Sequence, residues 1–533
     1  MDTGNFFIRM NKDLEDLIYK GKDEKVKGSL IHAFDRYDDR EDEQAGRFRL
    51  MFTPLLDILL ISVIATPLVG IVGKRIRYEK IVVATFVTLV LTASLIIIPI
   101  FYQEVLCGKK GTASKSPSEE SFIRIDGLSA FMTVILFTVG IASSVFSIVE
   151  FREGSPTGYY MIFLSMIVGM VGVVFSGGLF TLFIFWEMMC LCSYTLVSFR
   201  RERWESIEAG YKYLIMSSAG TVIMLFAFSF LYGLNGTLSI PYLAASLSDY
   251  KGNPIVYLSL LMIIVGFGLQ AGIVPFHTWL PDAHMAAASP ISAILSGVVV
   301  KIGVYGLIRL LFDVFLPAQD TWQITLAVFA VLTMFLGNLS ALFQDDLKRL
   351  LAYSTIANTG YILLGLTIGS QRALAGSLLQ MLNHAVIKAL LFLCAGAFLH
   401  STRTRSLKEI AGIRRSMPIT SVAFTVGALA LATFPGLNIF WSELMIITAG
   451  IESNLSVLSL LMIINLIFSA AYALRMIYTV AVKKATYIPR KAKEAPRLML
   501  LPILSLVAVT IFIGVYPSPF ISMAESSINS LNL

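Results

Sequence analysis

Leu382-Asn383-His384-Ala385-Val386-Ile387-Lys388-Ala389-Leu390-Leu391-Phe392-Leu393 places an imidazole and an amine inside a run otherwise long and apolar enough to cross a bilayer. His384 and Lys388 are four residues apart, so on a helix they stack on one face, one turn from each other. A charged lysine at a bilayer centre costs about 2.5–3.5 kcal/mol on insertion scales. A side chain that costly faces a bundle interior or a watery cavity rather than lipid. The rest of the chain should therefore supply that interior.

Composition agrees. The chain has 533 residues, 56% hydrophobic and only 14% charged, with a mean hydropathy of +0.76. Soluble domains carry roughly 25% charged residues. Apolar runs of about 20 residues recur from Thr53 onward, which defines an all-α, polytopic membrane protein. The two-residue alternation of a membrane β-barrel is absent. Cys107, Cys190, Cys192 and Cys394 follow no zinc, haem or cluster spacing and read as packing residues. No metal site or cofactor is expected. The formal charge of +7 needs no nucleic acid, because membrane loops are commonly basic.

Fourteen spans are expected, at 53–73, 80–101, 125–149, 158–176, 178–199, 208–233, 254–275, 289–312, 321–342, 349–369, 376–400, 418–450, 456–482 and 498–521. The seventh ends at Pro275. The twelfth is too long for one straight helix and contains Pro435-Gly436, so a break is expected there. Ahead of the spans, residues 1–50 hold ten Lys/Arg and twelve Asp/Glu and contain no run able to cross a membrane. They read as a polar extension that lies on a surface or docks to a partner. No signal peptide is visible in them, since the basic-then-apolar order with a small-residue cleavage site is missing. Lysines and arginines divide unequally between alternate loops: 21 on one side, Lys348 among them, against 6 on the other. The richer side is expected to be cytoplasmic, which puts both termini outside.

Several ionisable residues lie inside spans: Glu187 in the fifth, Lys212 near the start of the sixth, Lys301 in the eighth, His384 and Lys388 in the eleventh, Glu443 in the twelfth. Taken singly, each has a plain explanation. Lysines near helix ends snorkel, Glu187 fits a static ion pair, His384 a packing role, Glu443 a half-helix cap, and the prolines ordinary kinks. Taken together, such groups at similar depth on different helices describe a proton or cation relay. Desolvation disfavours a charged amine and a nearby carboxylate favours it. Moving the carboxylate therefore switches the amine between holding and releasing a proton. Glu187 and Lys212 are expected to pair across neighbouring helices. Pro275 and Pro435 are expected to mark helix breaks, where unwound backbone offers ion and water sites at membrane depth.

The same residues carry a family resemblance. Pro275-Phe276-His277-Thr278-Trp279-Leu280-Pro281-Asp282-Ala283-His284 resembles a signature of the antiporter-like subunits of respiratory complex I, Mrp-type multisubunit cation/proton antiporters and membrane-bound hydrogenase or sulfane reductase complexes. Asp346-Leu347-Lys348-Arg349-Leu350-Leu351-Ala352-Tyr353-Ser354-Thr355 and Leu382–Ala389 resemble two more; Asp126-Gly127-Leu128-Ser129 and Trp186-Glu187 also fit. The resemblance implies 14 transmembrane helices, with spans four to eight and nine to thirteen forming two inverted five-helix repeats, each with one broken helix. The implied layout is 51–150 for the first three helices, 151–315 and 316–485 for the repeats, and 486–533 for the C-terminal loop and last helix. It implies an ion-translocating role for Glu187, Lys212, Lys301, Lys388 and Glu443. One departure stands out. The family's usual lysine of span seven is Gln270 here, and an amide cannot take up a proton near neutral pH.

The resulting expectation is an ion-translocating subunit of a multisubunit, energy-converting redox complex of the hydrogenase, sulfur-reducing or complex I kind. It moves protons, or exchanges them with sodium ions, across a cell membrane beside other membrane subunits, homologous ones included. It holds no catalytic or redox centre of its own. Two alternatives stand: a subunit of a stand-alone sodium/proton antiporter, and a degenerate structural subunit with an incomplete first half-channel.

Overall fold

The structure, a computed structural model, describes residues 79–106, 123–151, 154–250, 252–484 and 492–531. The expected first span at 53–73, the extension 1–50 and Cys107 lie outside the described residues. Within them the chain is helical, with isolated β-bridges as the only strand-like pairing. Eleven helices are long and apolar enough to cross a membrane, and two further apolar helices are shorter. A 19-residue helix is about 28 Å long, close to the hydrocarbon thickness of a bilayer.

In chain order, α1 is Glu79–Leu106, α2 Gly127–Glu150, α3 Pro156–Val174, α4 Leu179–Val197 and α5 Trp204–Asn235. Next come α6 (Pro254–Gln270), the short α7 (Trp279–Ala286) and α8 (Ser289–Val314). Then follow α9 (Gln319–Leu342), α10 (Leu347–Ile368), α11 (Gln371–Thr402), α12 (Pro418–Leu431) and α13 (Asn438–Glu452). The last are α14 (Ser456–Val482), α15 (Arg497–Val515) and the short α16 (Ser518–Ile528). Local chemistry sets the ends. Asp126 and Ser129 form a capping box on α2, and Asp346 accepts from the Arg349 N–H at 3.0 Å to start α10. Gly236 and Gly369 end α5 and α10 in the left-handed region, at φ 69° and 71°.

Layering follows from which faces are apolar all round. The apolar window of α8 is 100% buried, and those of α10 and α11 are each 94% buried, against 39% for α5 and 33% for α14. The first three therefore form the centre. The outer helices present apolar stripes at helical spacing, such as Ile215, Val222 and Phe226 on α5 and Leu460, Ile463 and Ile467 on α14. Such stripes suit lipid or neighbouring subunits.

Two interruptions shape the centre. The seventh expected span does not run to Pro275: α6 stops at Gln270, and residues 271–278 leave the helix before α7 resumes. Gly272 takes φ 68° there, and Pro275 brings no N–H to the break. The freed backbone groups find side chains: Trp279 Nε1 donates to Leu269 O at 3.0 Å, and Val274 N donates to Thr333 Oγ1 at 3.1 Å. The second interruption, at 432–437, separates α12 from α13 and contains Pro435. It is tied to α11 in both directions. Asn383 Nδ2 donates to Asn438 O at 2.8 Å, and Asn438 Nδ2 to Asn383 O at 3.2 Å.

Candidate functional site

Polar residues on α11 line up on one face: Gln380, His384 and Lys388, at four-residue steps, all with no exposed surface. Lys301 on α8 meets this face, with Nζ 2.6 Å from His384 Nδ1. The same Nζ donates to Ser296 O at 2.5 Å. That carbonyl belongs to a π-helical stretch, Leu295–Val299, whose wider turn redirects backbone carbonyls. The amine and the imidazole can share a proton with almost no atomic displacement. With the ammonium as donor, His384 is neutral and its hydrogen sits on Nε2, which has no partner among the described residues.

Lys388 donates to Leu351 O at 3.1 Å and makes a short contact with Ser354 Oγ, both on α10. From there hydrogen bonds continue. Asn358 Nδ2 donates to Ser354 O at 3.0 Å, and Gln380 Nε2 donates to Asn358 Oδ1 at 2.9 Å. Gln380 also reaches Glu443 Oε1 at 3.4 Å, and Thr433 in the second break donates to Glu443 Oε2 at 2.6 Å. Ser442 Oγ donates to Gln380 Oε1 at 2.5 Å. The run Lys388–Ser354–Asn358–Gln380–Glu443 thus joins α10, α11 and α13, with titratable groups at its two ends and hydrogen-bonding hydroxyl and amide groups between them. Neither Lys301 nor Lys388 forms an ion pair among the described residues. A proton on either amine would be held by neutral acceptors alone, a costly arrangement at this depth.

Two expected members lie elsewhere. Lys212 does not pair with Glu187. It is half-exposed and bonds Glu208 at 2.8 Å and Asp282 at 3.1 Å. The reason is rotation: Lys212 shares the outer face of α5 with exposed Tyr211 and Ile215, while Tyr213 points inward. Glu187 is half-buried on α4 and has no hydrogen bond or ion pair among the described residues. In the place between them, Gln270 Nε2 donates to Tyr213 OH at 2.6 Å, Cys190 Sγ lies 3.9 Å from Gln270 Oε1, and Tyr213 stacks on Trp279 at 3.9 Å. This cluster around Gln270 is neutral.

Sequence reasoning missed four contributors. Gln380 and Asn358 are uncharged amides, invisible to a search for titratable residues, although Gln380 stands one turn before His384. Lys348 was expected in a loop; it is buried in the first turn of α10, with Nζ donating to Ala287 O at 2.7 Å. His284, the last residue of the quoted Pro275–His284 motif, is buried against Phe392 with ring centroids 4.7 Å apart. Separately, Arg309 pairs with Asp126 by a short contact and with Asp313 at 3.5 Å, and Arg124 pairs with Asp313 at 2.7 Å. This buried cluster balances two positive and two negative charges and pins the far end of α8.

Fold and site together define a polytopic membrane protein with a buried polar axis. The chain belongs to the NADH:quinone oxidoreductase/Mrp antiporter transmembrane family, whose profile matches residues 176–469. It is 32% identical over 416 residues to NADH-quinone oxidoreductase subunit N of Desulforudis audaxviator, covering 75% of this chain and 82% of the relative. It is 31% identical to F(420)H(2) dehydrogenase subunit N of Methanosarcina mazei, covering 75% and 83%. Its fold is similar to a chain of the membrane-bound sulfane sulfur reductase, an archaeal respiratory membrane complex. There the TM-score is 0.81 and the identity 27%, over 89% of this chain and 97% of the other.

Proposed function

We propose that this chain is the ion-translocating, antiporter-like membrane subunit of a multisubunit redox complex, moving protons or exchanging them with sodium ions. Lys301, His384, Lys388 and Glu443 carry the charge, and Gln380, Asn358 and Ser354 connect them. The observation that carries this reading is the hydrogen-bonded run from Lys388 to Glu443, with the Lys301–His384 pair one turn away. The named relatives are subunits of quinone- and F(420)H(2)-linked oxidoreductases, which favours redox coupling over a stand-alone antiporter. Redox chemistry then belongs to partner subunits.

The family's plan of 14 spans in two inverted repeats fits the two interruptions. In the first, α6 enters from the side opposite the arginine-rich loops and stops at Gln270, before the family's proline. In the second, α12 enters from the arginine-rich side. Loop charge makes that side cytoplasmic and leaves both termini outside.

The test is reconstitution of the assembled complex into liposomes with a trapped pH-sensitive dye. Glu443→Gln can still accept from Gln380 and, with the direction reversed, donate to the Thr433 hydroxyl, but it removes the titrating carboxylate. Proton movement should fall about tenfold or more with the complex still assembled. Unchanged transport would leave only the scaffold reading. Co-purification with iron–sulfur subunits separates a redox complex from a stand-alone antiporter. Gln270→Lys is a second test, since it places an amine beside Tyr213. Transport that rises by about twofold or more would mark the first half as a route that lost its amine. No change would mark it as rebuilt for another purpose.

A further inference from the structure

Glu150, the last residue of α2, is nine-tenths buried, and its two carboxylate oxygens are treated differently. Oε1 accepts from the Ser289 N–H at 3.0 Å and lies 3.4 Å from Arg200 Nη2. Oε2 has no hydrogen-bond partner among the described residues, and neither has the Tyr159 hydroxyl on α3. Buried polar atoms are ordinarily satisfied, so an open carboxylate oxygen near an open hydroxyl requires an occupant. Both side chains line a cavity of about 140 Å³. One water takes up about 30 Å³ of liquid, so the space suits a small polar group. Phe151, Tyr159 and Phe199 wall it, with ring centroids 5.1, 5.5 and 6.0 Å apart. Aromatic rings beside a carboxylate are surroundings that favour an ammonium.

The mouth carries the opposite sign. Arg200, Arg203 and Arg403 line the cavity, and the same three side chains line a wider cleft of about 480 Å³ beside it. The first two come from the link between α4 and α5, and the third follows α11. Acids of the cleft do not neutralise them, since Asp345 is held by Lys408 and Arg475, and Asp346 by Arg405. Arg403 is exposed, and its guanidinium enters no ion pair among the described residues. Its backbone takes φ 63°, in the left-handed region that favours glycine. Strain of this kind is kept where a side chain has a task. These helix ends lie on the arginine-rich face, where a bilayer meets water. Leu191 on α4 and Trp204 at the start of α5 are exposed on the same segment, and tryptophan is enriched at that boundary. An acyl chain anchored at the arginines therefore has apolar side chains to lie against.

We propose that this site binds a phosphodiester carrying a primary ammonium, the headgroup chemistry of phosphatidylethanolamine. The ammonium enters the cavity, donates to Glu150 Oε2 and Tyr159 OH, and rests against the aromatic wall. The phosphate stays at the mouth, held by Arg403 with Arg200 and Arg203. A free phosphate or an acidic headgroup would set negative charge against the open Glu150 oxygen, and a bare amine would leave the arginines unanswered. A choline headgroup lacks the N–H that the open oxygen needs. Bound there, the lipid ties the ends of α2, α3, α4 and α11 together on the arginine-rich face.

This site is independent of the translocation path, and binding rather than transport tests it. The assembled complex is reconstituted in phosphatidylglycerol nanodiscs, with phosphatidylethanolamine or phosphatidylcholine as the added lipid. Lipid retained per complex and melting temperature are measured. Wild type should keep one more phosphatidylethanolamine than Glu150→Gln, whose affinity should fall about tenfold. Of the two added lipids, only phosphatidylethanolamine should stabilise wild type. Arg403→Ala changes an exposed side chain and leaves the backbone strain as it is, so it guards against misfolding. It should lose the lipid to a similar degree. Equal retention in wild type and both variants overturns the site. So does equal stabilisation by phosphatidylcholine, which has no N–H to donate. No response to phosphatidylethanolamine at all also overturns it and leaves a cavity filled by water. Glycerophosphoethanolamine, the headgroup without acyl chains, separates two sources of the same chemistry. If it stabilises wild type but neither variant, a soluble ligand of this class fills the site; if only the lipid acts, the occupant comes from the membrane.

Discussion

Lys388→Met should reduce proton movement by the reconstituted complex about hundredfold while raising, not lowering, the thermal stability of the subunit. The two effects have one cause. Lys388 is fully buried and its amine is held by Leu351 O and Ser354 Oγ, with no carboxylate in contact. Replacing an unpaired buried charge by an apolar side chain of similar length removes a desolvation cost. It leaves behind a carbonyl and a hydroxyl, and Ser354 Oγ already has Leu351 O as a partner at 2.9 Å. A residue kept for stability would behave oppositely, losing melting temperature together with activity. Lys388→Arg supplies the complementary result. The guanidinium keeps the charge but does not release its proton, so transport should be lost to a similar degree. Dye-based transport and a thermal melt on the same preparation check both halves. Transport within twofold of wild type in the methionine variant would remove Lys388 from the path.

The sequence made the centre of this site legible for a simple reason. A lysine in an apolar run is costly, so Lys301, Lys388 and the neighbouring His384 announce themselves, and the structure brings Lys301 and His384 into contact. Rotation about a helix axis is less legible when every face is apolar. Lys212 and Tyr213 are adjacent in sequence, and only the four-residue spacing of Glu208 and Lys212 at the start of α5 marks Lys212 as the one that looks outward. Burial at a helix start is equally hidden. Lys348 sits between Asp346 and Arg349, which reads as a loop, yet the α10 terminus is sunk beneath the arginine-rich loops. The π-helical stretches of α8 leave no trace because 289–314 has no interior proline after Pro290 to mark a change of pitch. The breaks at Pro275 and Pro435 were visible as prolines. The place where α6 stops was not, because Gly272, with its positive φ, ends the helix before the proline is reached.

Gly303→Ala should prevent normal assembly, whereas Gly233→Ala should be neutral or mildly stabilising. A glycine in a helix interior ordinarily costs about 0.5–1 kcal/mol relative to alanine, so the change alone favours the helix at both sites. Surroundings reverse the sign at one of them. A Cβ on Gly233 meets nothing within 4 Å, while one on Gly303 would lie 2.7 Å from Ala271 N and 3.0 Å from Phe267 O. Those are backbone atoms at the end of α6, just where the helix breaks. They cannot swing aside as a side chain can, so α8 and α6 must separate. Overpacking of this kind costs about 1–3 kcal/mol, and here it falls on the joint that fixes two features at once. Lys301 is two residues away on α8, and its 2.6 Å contact with His384 tolerates little displacement. Gln270 is the residue before Ala271, and its 2.6 Å bond to Tyr213 would shift with the break. The expected result is a sharp loss of assembled complex for Gly303→Ala, read by size-exclusion yield and melting temperature. Any complex recovered should transport poorly despite an intact set of ionisable residues. Wild-type yield and transport in Gly303→Ala would mean that α6 and α8 are free to slide. The close backbone approach would then not be what holds Lys301 against His384.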